Sequence, residues 1–183
     1  MTAVPLVQNV VDIVGAPFHA IWSPEDGAVR AAGFATESDP SAESLLSRLF
    51  AADADARERG VVPASDDENH VAQALRSYAA GDLHAIDALP VAQPGSPFRD
   101  QVWEALRGVA PGRAVTYTEL AARAGRPSAV RAAASGCANN LVALVVPCHR
   151  IVRSDGGLGG YLFGVELKER LLVHEGARAA TLV

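Results

Sequence analysis

The residues with the clearest chemical potential are adjacent: Cys148, His149 and Arg150 follow the apolar run 141–146 and Pro147. A thiolate is the nucleophilic form of cysteine, and neighbouring positive or hydrogen-bonding groups favour it. The apolar run predicts a buried strand, which Pro147 ends because proline cannot donate to a β-ladder. The sequence therefore predicts a nucleophilic cysteine where the chain leaves its core and meets a pocket.

A structural role is the alternative for Cys148. An isolated cysteine behaves as a small apolar residue and is among the most buried residue types. Only its surroundings make it reactive, so an arbitrary Cys-His pair is more often structural. The context of Pro147 and Arg150, together with motifs on both sides, favours the reactive interpretation.

The composition predicts one domain or two small ones, since the chain has 183 residues, 49% of them hydrophobic. Cys137 and Cys148 are its two cysteines, so no disulfide framework is indicated and we expect a cytoplasmic location. No signal peptide and no apolar run of membrane-spanning length is evident.

Charge is distributed unevenly along the chain. Residues 1–90 carry 5 Lys and Arg against 14 Asp and Glu, a net charge of −9, whereas residues 91–183 carry 11 against 7, a net charge of +4. Such asymmetry suggests an acidic companion region and a basic region that does the work. A solvated acidic surface with no functional meaning is the alternative.

The first 90 residues predict a small sheet with helices. Alternating and β-branched residues indicate strands near Val7–Val14, Phe18–Trp22 and Val29–Phe34, the last two joined as a hairpin through the turn residues 23–27. A helix is expected from the cap Asp39-Pro40, a loop over 51–68, and a second helix over Asn69–Ala79, ended by Gly81. His19, His70 and His84 have no cysteine companions, so we assign them no metal.

We place a domain boundary between residues 90 and 91, in a segment rich in proline and glycine. The second half predicts mainly helices: one from Ser96-Pro97, one over Glu119–Ala124, one capped by Ser128, and one near Val165–Glu175. The middle two are spaced as a helix-turn-helix, although many helical pairs share that spacing. The expected class is α/β (α+β), with a small N-terminal β-sheet and a mostly helical C-terminal domain.

Several motifs in one order and spacing resemble the O6-alkylguanine-DNA alkyltransferase family. The pieces are Pro97-Phe98-Arg99-Asp100-Gln101-Val102-Trp103, Val115-Thr116-Tyr117, Glu119-Leu120-Ala121, Ala129-Val130-Arg131-Ala132, Asn139-Asn140, Pro147-Cys148-His149-Arg150, Gly160-Tyr161 and Lys168 through Glu175-Gly176. Residues 96–176 carry the resemblance strongly, and residues 5–90 carry it only by general pattern.

The resemblance implies a direct-reversal DNA repair protein without a cofactor. In the family a cysteine irreversibly takes the alkyl group from O6-alkylguanine in double-stranded DNA, so each molecule acts once. Matching positions make Cys148 the acceptor, His149 a base acting through water, and Glu175 the residue that orients His149. Asn140 matches a hinge asparagine, and Tyr117 matches the tyrosine that assists the departing base and rotates its nucleotide.

The resemblance also implies a DNA-binding surface and an alkylguanine pocket. Arg131 would fill the space of the flipped nucleotide, and Tyr117 would bind DNA by crowding a phosphate so that the nucleotide rotates. Thr118, Arg126 and Ser154 match phosphate-contact positions, and for these three an ordinary surface role is the alternative. The pocket residues would be Cys137, Ile151, Tyr161, Leu162 and Phe163. O4-alkylthymine is a second candidate substrate. We expect a monomer that does not bind membranes.

Two departures from the family pattern affect these expectations. Mammalian members bind a structural zinc through N-terminal cysteines and histidines, but residues 1–90 contain no cysteine, so no zinc is predicted. Leu162-Phe163 replaces a smaller pair found in some members, which bears on the range of alkyl groups accepted.

Two other function classes remain as alternatives. A binding-only relative would recognise the lesion without repairing it, but such relatives replace the cysteine, usually with tryptophan. A Cys-His hydrolase of another fold would need an oxyanion hole, which no motif here marks.

Overall fold

A computed structural model describes residues 3–66 and 68–179. The chain forms two compact units, Met1–Pro94 and Gly95–Val183. The division lies four residues after the predicted boundary, because the residues around Val91 pair with Val29 of the first unit. The Val29 N–H donates to the Pro90 carbonyl at 2.8 Å, and the Val29 carbonyl accepts from the Ala92 N–H at 3.0 Å.

The first unit contains a four-stranded sheet in the order β3-β2-β1-β4. The strands are β1 Leu6–Ile13, β2 Ala16–Trp22, β3 Val29–Phe34 and β4 Val61–Pro63. β1, β2 and β3 are antiparallel neighbours, and β4 runs parallel to β1. The three predicted strands and the hairpin are therefore confirmed, and the fully buried Phe18, Ala20 and Ile21 place β2 in the core.

The helices of the first unit are α1 Glu43–Ala52, α2 Ala54–Arg59 and α3 His70–Ala79. The prediction that the first helix starts at Asp39-Pro40 is wrong. The Asp39 carboxylate instead reaches across a turn and accepts from the N–H groups of Glu43 and Ser44, at 2.8 and 3.0 Å. These donors begin the helix and have no partner inside it.

The predicted loop over 51–68 is also wrong, since it contains α2 and β4. The Asp53 side chain caps α2 by accepting from the Ala56 N–H at 3.1 Å. Gly60 then turns the chain into β4 with a φ of +68°, which residues other than glycine rarely adopt. Short elements such as these lack the apolar period by which longer ones are predicted.

The second unit is mainly helical. Its elements are α4 Pro97–Arg107, β5 Val115–Thr116, α5 Tyr117–Arg123, α6 Val130–Ala138, a single 3₁₀ turn Cys148–Arg150, β6 Ile151–Val152 and α7 Val165–His174. Ser96 caps α4 as predicted. The helices of the described residues are all too short to cross a bilayer.

Close packing of α4 against α6 requires a glycine. A Cβ added to Gly136 would lie 2.8 Å from the Val102 side chain, so a larger residue would push the helices apart. The Trp103 indole N–H donates to the Gly136 carbonyl at 3.0 Å. Val102, Trp103 and Leu106 are buried.

α5 and α6 are consecutive helices joined by residues 124–129. α5 begins two residues earlier than predicted, because Thr116 and Glu119 form a reciprocal capping box. The prediction that Ser128 caps α6 is wrong, because the N-cap position of this helix is Ala129, which makes no side-chain hydrogen bond to it. Helix-turn-helix function stays a prediction.

The apolar run 141–146 is fully buried, but it is a turn and the predicted strand is wrong. The Val146 N–H donates back to the Val142 carbonyl at 3.0 Å. Leu144 has a φ of +69°, a left-handed conformation that is uncommon for a leucine. The run thus turns tightly on itself directly before Cys148.

Candidate active site

Asn140 fixes the shape of the turn that carries Cys148. Its side-chain N–H groups donate to the Val146 carbonyl at 2.8 Å and to the Cys148 Sγ at 3.3 Å, while its carbonyl accepts from the Val142 N–H at 3.1 Å. A donor aimed at sulfur favours the anionic form of a thiol. Asn140 therefore both holds the turn and places a hydrogen-bond donor on the Cys148 sulfur.

A buried cluster of His149, Arg150 and Glu175 lies behind this turn. The Glu175 carboxylate accepts from His149 Nε2 at 2.9 Å and from Arg150 Nε and Nη2 at 2.9 and 2.8 Å. The side chains of His149 and Glu175 are completely inaccessible to solvent. The structure thus brings together Glu175, at the end of α7, and the histidine that it was predicted to orient.

The cluster holds His149 as a neutral base. Burial lowers its pKa, although the charge of Glu175 opposes that effect. Burial alone would raise the pKa of Glu175, but His149 and Arg150 outweigh it and hold that pKa far below its usual range. Because the carboxylate only accepts, Nε2 carries the imidazole proton. Nδ1, which has no hydrogen-bond partner among the described residues, is then the basic nitrogen.

Cys148 opens onto a mostly apolar pocket of about 270 Å³. Its walls come from α5, α6, the turn before Cys148 and the loop after β6. They consist of Tyr117, Ala134, Cys137, Ala138, Asn140, Ala143, Cys148, Gly160, Tyr161, Leu162 and Phe163. Six of these residues were predicted around Cys148: Tyr117, Cys137, Asn140, Tyr161, Leu162 and Phe163.

Ile151 was predicted in the pocket but does not belong to the walls that the described residues form. It lies in β6, fully buried, and pairs with Val115 of β5. The parallel pairing of β5 with β6 positions Tyr117, because it holds the start of α5 beside the chain that leaves the Cys148 turn.

Tyr117 is a protonated donor at the pocket wall. Burial first, and then any negative charge on Cys137 and Cys148, raises the pKa of its hydroxyl. Gly159 allows the tyrosine this position, because an added Cβ there would lie 3.3 Å from the hydroxyl oxygen. A neutral phenol within the same pocket as the thiol can donate a hydrogen bond to a bound molecule.

The two cysteines of the pocket differ in chemistry. Burial raises the pKa of Cys137 well above its usual range, so that thiol stays protonated at neutral pH. Protonated thiols are poor nucleophiles. Cys148, with the Asn140 donor on its sulfur, is the thiol of the pair that the geometry favours as a nucleophile.

Two buried cations of the site, Arg150 and Lys168, were not predicted as site residues. Lys168 is fully buried, and its Nζ donates to the carbonyls of Ile151 and Gly160. Burial lowers its pKa. Lys168 thereby ties the loop of Tyr161–Phe163 to β6. Its position inside the apolar stripe of α7, beside Leu167 and Leu171, is the signal that could have identified it.

The predicted phosphate contacts Thr118, Arg126 and Ser154 lie on the surface and outside the pocket walls. Arg131, predicted to fill the space of the flipped nucleotide, is exposed as well. The Arg126 guanidinium stacks over the Phe98 ring, 4.9 Å from its centroid. Such contacts hold a long side chain in place without neutralising it.

Within residues 3–66 and 68–179, no group of three or more His, Cys, Asp and Glu side chains could hold an ion.

Comparison with known proteins places this site in a family. Residues 97–177 match the family described as 6-O-methylguanine DNA methyltransferase, DNA binding domain. A methylated-DNA–protein-cysteine methyltransferase of Shigella flexneri is 46% identical over 102 residues, which cover 56% of this chain and 60% of that protein. A protein of the same name from Methanosarcina barkeri is 38% identical over 121 residues, 63% of this chain and 76% of that protein.

Among solved structures, the chain is similar to the Mycobacterium tuberculosis OGT in complex with DNA, with a TM-score of 0.70, 23% identity and coverage of 94% of both chains. This likeness extends over both units and shows the fold. The sequence match is shorter: the chain spans about 60% of the length of the Shigella relative.

Proposed function

Because the chain belongs to the 6-O-methylguanine DNA methyltransferase family, we propose that it repairs DNA by moving an alkyl group from the O6 atom of guanine to Cys148. The observation that carries this proposal is the arrangement around one apolar pocket: Asn140 donates to the Cys148 sulfur, and behind it His149 is held by Glu175. The transfer is irreversible, so each molecule repairs one lesion.

The reaction is a displacement at the alkyl carbon. His149 Nδ1 takes the thiol proton through a bridging water, and the imidazolium is stabilised by the Glu175 carboxylate. The Cys148 sulfur then forms a bond to the alkyl carbon while the bond from that carbon to O6 breaks. The electron pair of that bond goes to the guanine, which leaves as an anion to which the Tyr117 hydroxyl donates. The guanine then takes one proton from Tyr117, which regains one from solvent.

The pocket explains why the base must leave the helix. The thiol lines a cavity walled by side chains, so we infer that the target carbon reaches it only from a flipped nucleotide. Flipping costs a few kcal/mol, and we assign Arg131 to the space that the nucleotide vacates. The small residues around Arg131 on α6 suit close approach to a groove. O4-alkylthymine is the second substrate we propose.

The partner we propose is double-stranded DNA, bound by one copy of the chain in the cytoplasm. The net charge of +4 over residues 91–183 supports DNA binding, and the exposed Thr118, Arg126 and Ser154 are its proposed phosphate contacts. The two cysteines of the described residues are free thiols, which suits a reducing compartment.

The test is incubation with duplex DNA labelled in the O6-methyl group. We expect label on the protein at no more than one equivalent, with Cys148→Ser inactive but still able to bind DNA. Cys137→Ser is the matched control, because that thiol lines the same pocket, and it should keep the activity.

The same assay separates the alternatives. A binding-only protein would retain DNA without gaining label. A hydrolase would release label and continue beyond one equivalent. Undiminished labelling of Cys148→Ser would reject Cys148 as acceptor.

A further inference from the structure

An exposed ion pair follows the active-site turn in the loop after β6. Arg153 Nε and Nη2 donate to the two carboxylate oxygens of Asp155, at 3.2 and 2.5 Å. The side chains are 62% and 56% exposed. An acidic residue is unexpected on a surface proposed to face phosphates, so this pair needs an explanation.

The loop adjoins the pocket, because Gly160 lines both the pocket and the depression beside Arg153. A Cβ added to Gly159 would be 3.3 Å from the Tyr117 hydroxyl and 3.5 Å from Arg153 Cγ, so these two atoms are about 7 Å apart at most. The Arg153 stem therefore flanks the same glycine as Tyr117, which lines the pocket of Cys148. Arg153 therefore lies beside the pocket that holds Cys148, in the depression that shares Gly160 with it.

The surface around Arg153 is open to another molecule. Arg153, Asp155 and the glycines 157, 159 and 160 line a shallow depression next to the pocket. A Cβ added to Gly156 or Gly160 would meet nothing within 4 Å. A backbone so free of side chains lets a second chain approach closely.

We propose that Arg153 binds a phosphate of the nucleotide entering the pocket, and that Asp155 holds the guanidinium in place until DNA displaces it. This inference rests on the proposed function, since it needs DNA at this surface. Arginine binds phosphate and carboxylate with the same planar fork of donors, so the two acceptors compete for one group. Asp155 also accepts from the Gly157 N–H at 3.0 Å, which keeps it in position after the exchange.

A simpler reading is that Arg153 only masks the charge of Asp155. In both readings Arg153→Ala weakens DNA binding, so the single variant does not decide between them. The double variant Arg153→Ala with Asp155→Asn decides, because asparagine can still accept from the Gly157 N–H but has no charge to mask.

The experiment measures the affinity of the full chain for undamaged duplex DNA between 50 and 200 mM salt. Asp155→Asn should bind about 1.5- to 5-fold more tightly, the typical worth of an exposed ion pair. The double variant should lose this increase in affinity. Its plot of log K against log salt concentration should have a slope that is less steep by about 0.9 than the slope for Asp155→Asn. The affinity ratio of these two proteins should then fall about 3.5-fold across the salt range.

Arg178→Ala is the matched control, because Arg178 forms a partly exposed pair with Glu169 in the same unit. It should leave the salt slope unchanged. The proposal is overturned if the double variant binds as tightly as Asp155→Asn, or if Arg178→Ala reduces the slope equally. Label transfer by the unmodified chain is measured in parallel, so that failure of the proposed function appears there and not in these ratios.

Discussion

Replacing Glu175 by glutamine should damage both the fold and the reaction. Three donors, His149 Nε2, Arg150 Nε and Arg150 Nη2, converge on two carboxylate oxygens. An amide offers one oxygen and turns an NH₂ toward a donor, so one of the donors loses its partner. The Arg150 guanidinium, only 3% exposed, would be left as a buried charge without a counter-ion.

The magnitude follows from that burial. Breaking a buried ion pair by removing one partner typically costs about 3–5 kcal/mol, a large part of the stability of a domain. In urea unfolding the midpoint should fall by about 1 M or more. The rate of alkyl transfer by the remaining folded protein should also fall, because the imidazolium of His149 would lose its stabilising charge.

Glu169→Gln provides the matched control on the same helix. Its partly exposed pair with Arg178 should contribute about 0–1 kcal/mol. If Glu175→Gln is no more destabilising than Glu169→Gln and transfers alkyl groups at the original rate, the reasoning about the buried cluster is refuted.

Three further outcomes are expected. Phe163→Gly should raise transfer from benzyl substrates selectively, because the Phe163 ring lines the pocket and takes up space that a bulky alkyl group needs. Overfilling a packed pocket costs about 1–3 kcal/mol, which is roughly five- to a hundred-fold in rate. Equal losses of methyl and benzyl transfer would show that Phe163 is structural. Arg131→Ala should reduce repair of duplex DNA far more than reaction with the free modified base, and equal losses would reject its role in flipping. Burial lowers the pKa of His149, so the unfolded chain binds a proton more readily than the folded one. The free energy of unfolding should therefore fall as pH drops below the unfolded pKa of about 6.5, by up to about 1.4 kcal/mol per pH unit. Urea unfolding at several pH values should show a smaller fall for His149→Asn, and a fall equal to that of the unmodified chain would contradict the burial. Burial also lowers the pKa of His19, so the pH dependence of His19→Gln is measured alongside to separate the two histidines.

The resemblance carried by the motifs predicted which side chains lie near Cys148. Cys148, Asn140, Tyr117 and Phe163 do line one pocket, and the roles assigned to them stay predictions. The local signals for α3 and α4 were also sufficient, since each has a capping side chain and an apolar stripe.

The remaining errors have a shared physical origin. The run 141–146 is apolar throughout, and burial alone does not distinguish a strand from a buried turn. Its turn depends on the Asn140 side chain and on the left-handed backbone of Leu144, which no apolar pattern indicates. Lys168 was overlooked because a lysine is rarely buried, and its partners are backbone carbonyls that have no sequence signature.

Mass spectrometry of the protein after reaction with an O6-methylguanine duplex tests the central claim most directly. The account predicts one added methyl group, located on the peptide that contains Cys148, together with a duplex restored to unmodified guanine. It also predicts an unmodified Cys137, because burial keeps that thiol protonated in the same pocket. A methyl group found on Cys137, or a repaired duplex with no methyl group on the protein, would contradict it.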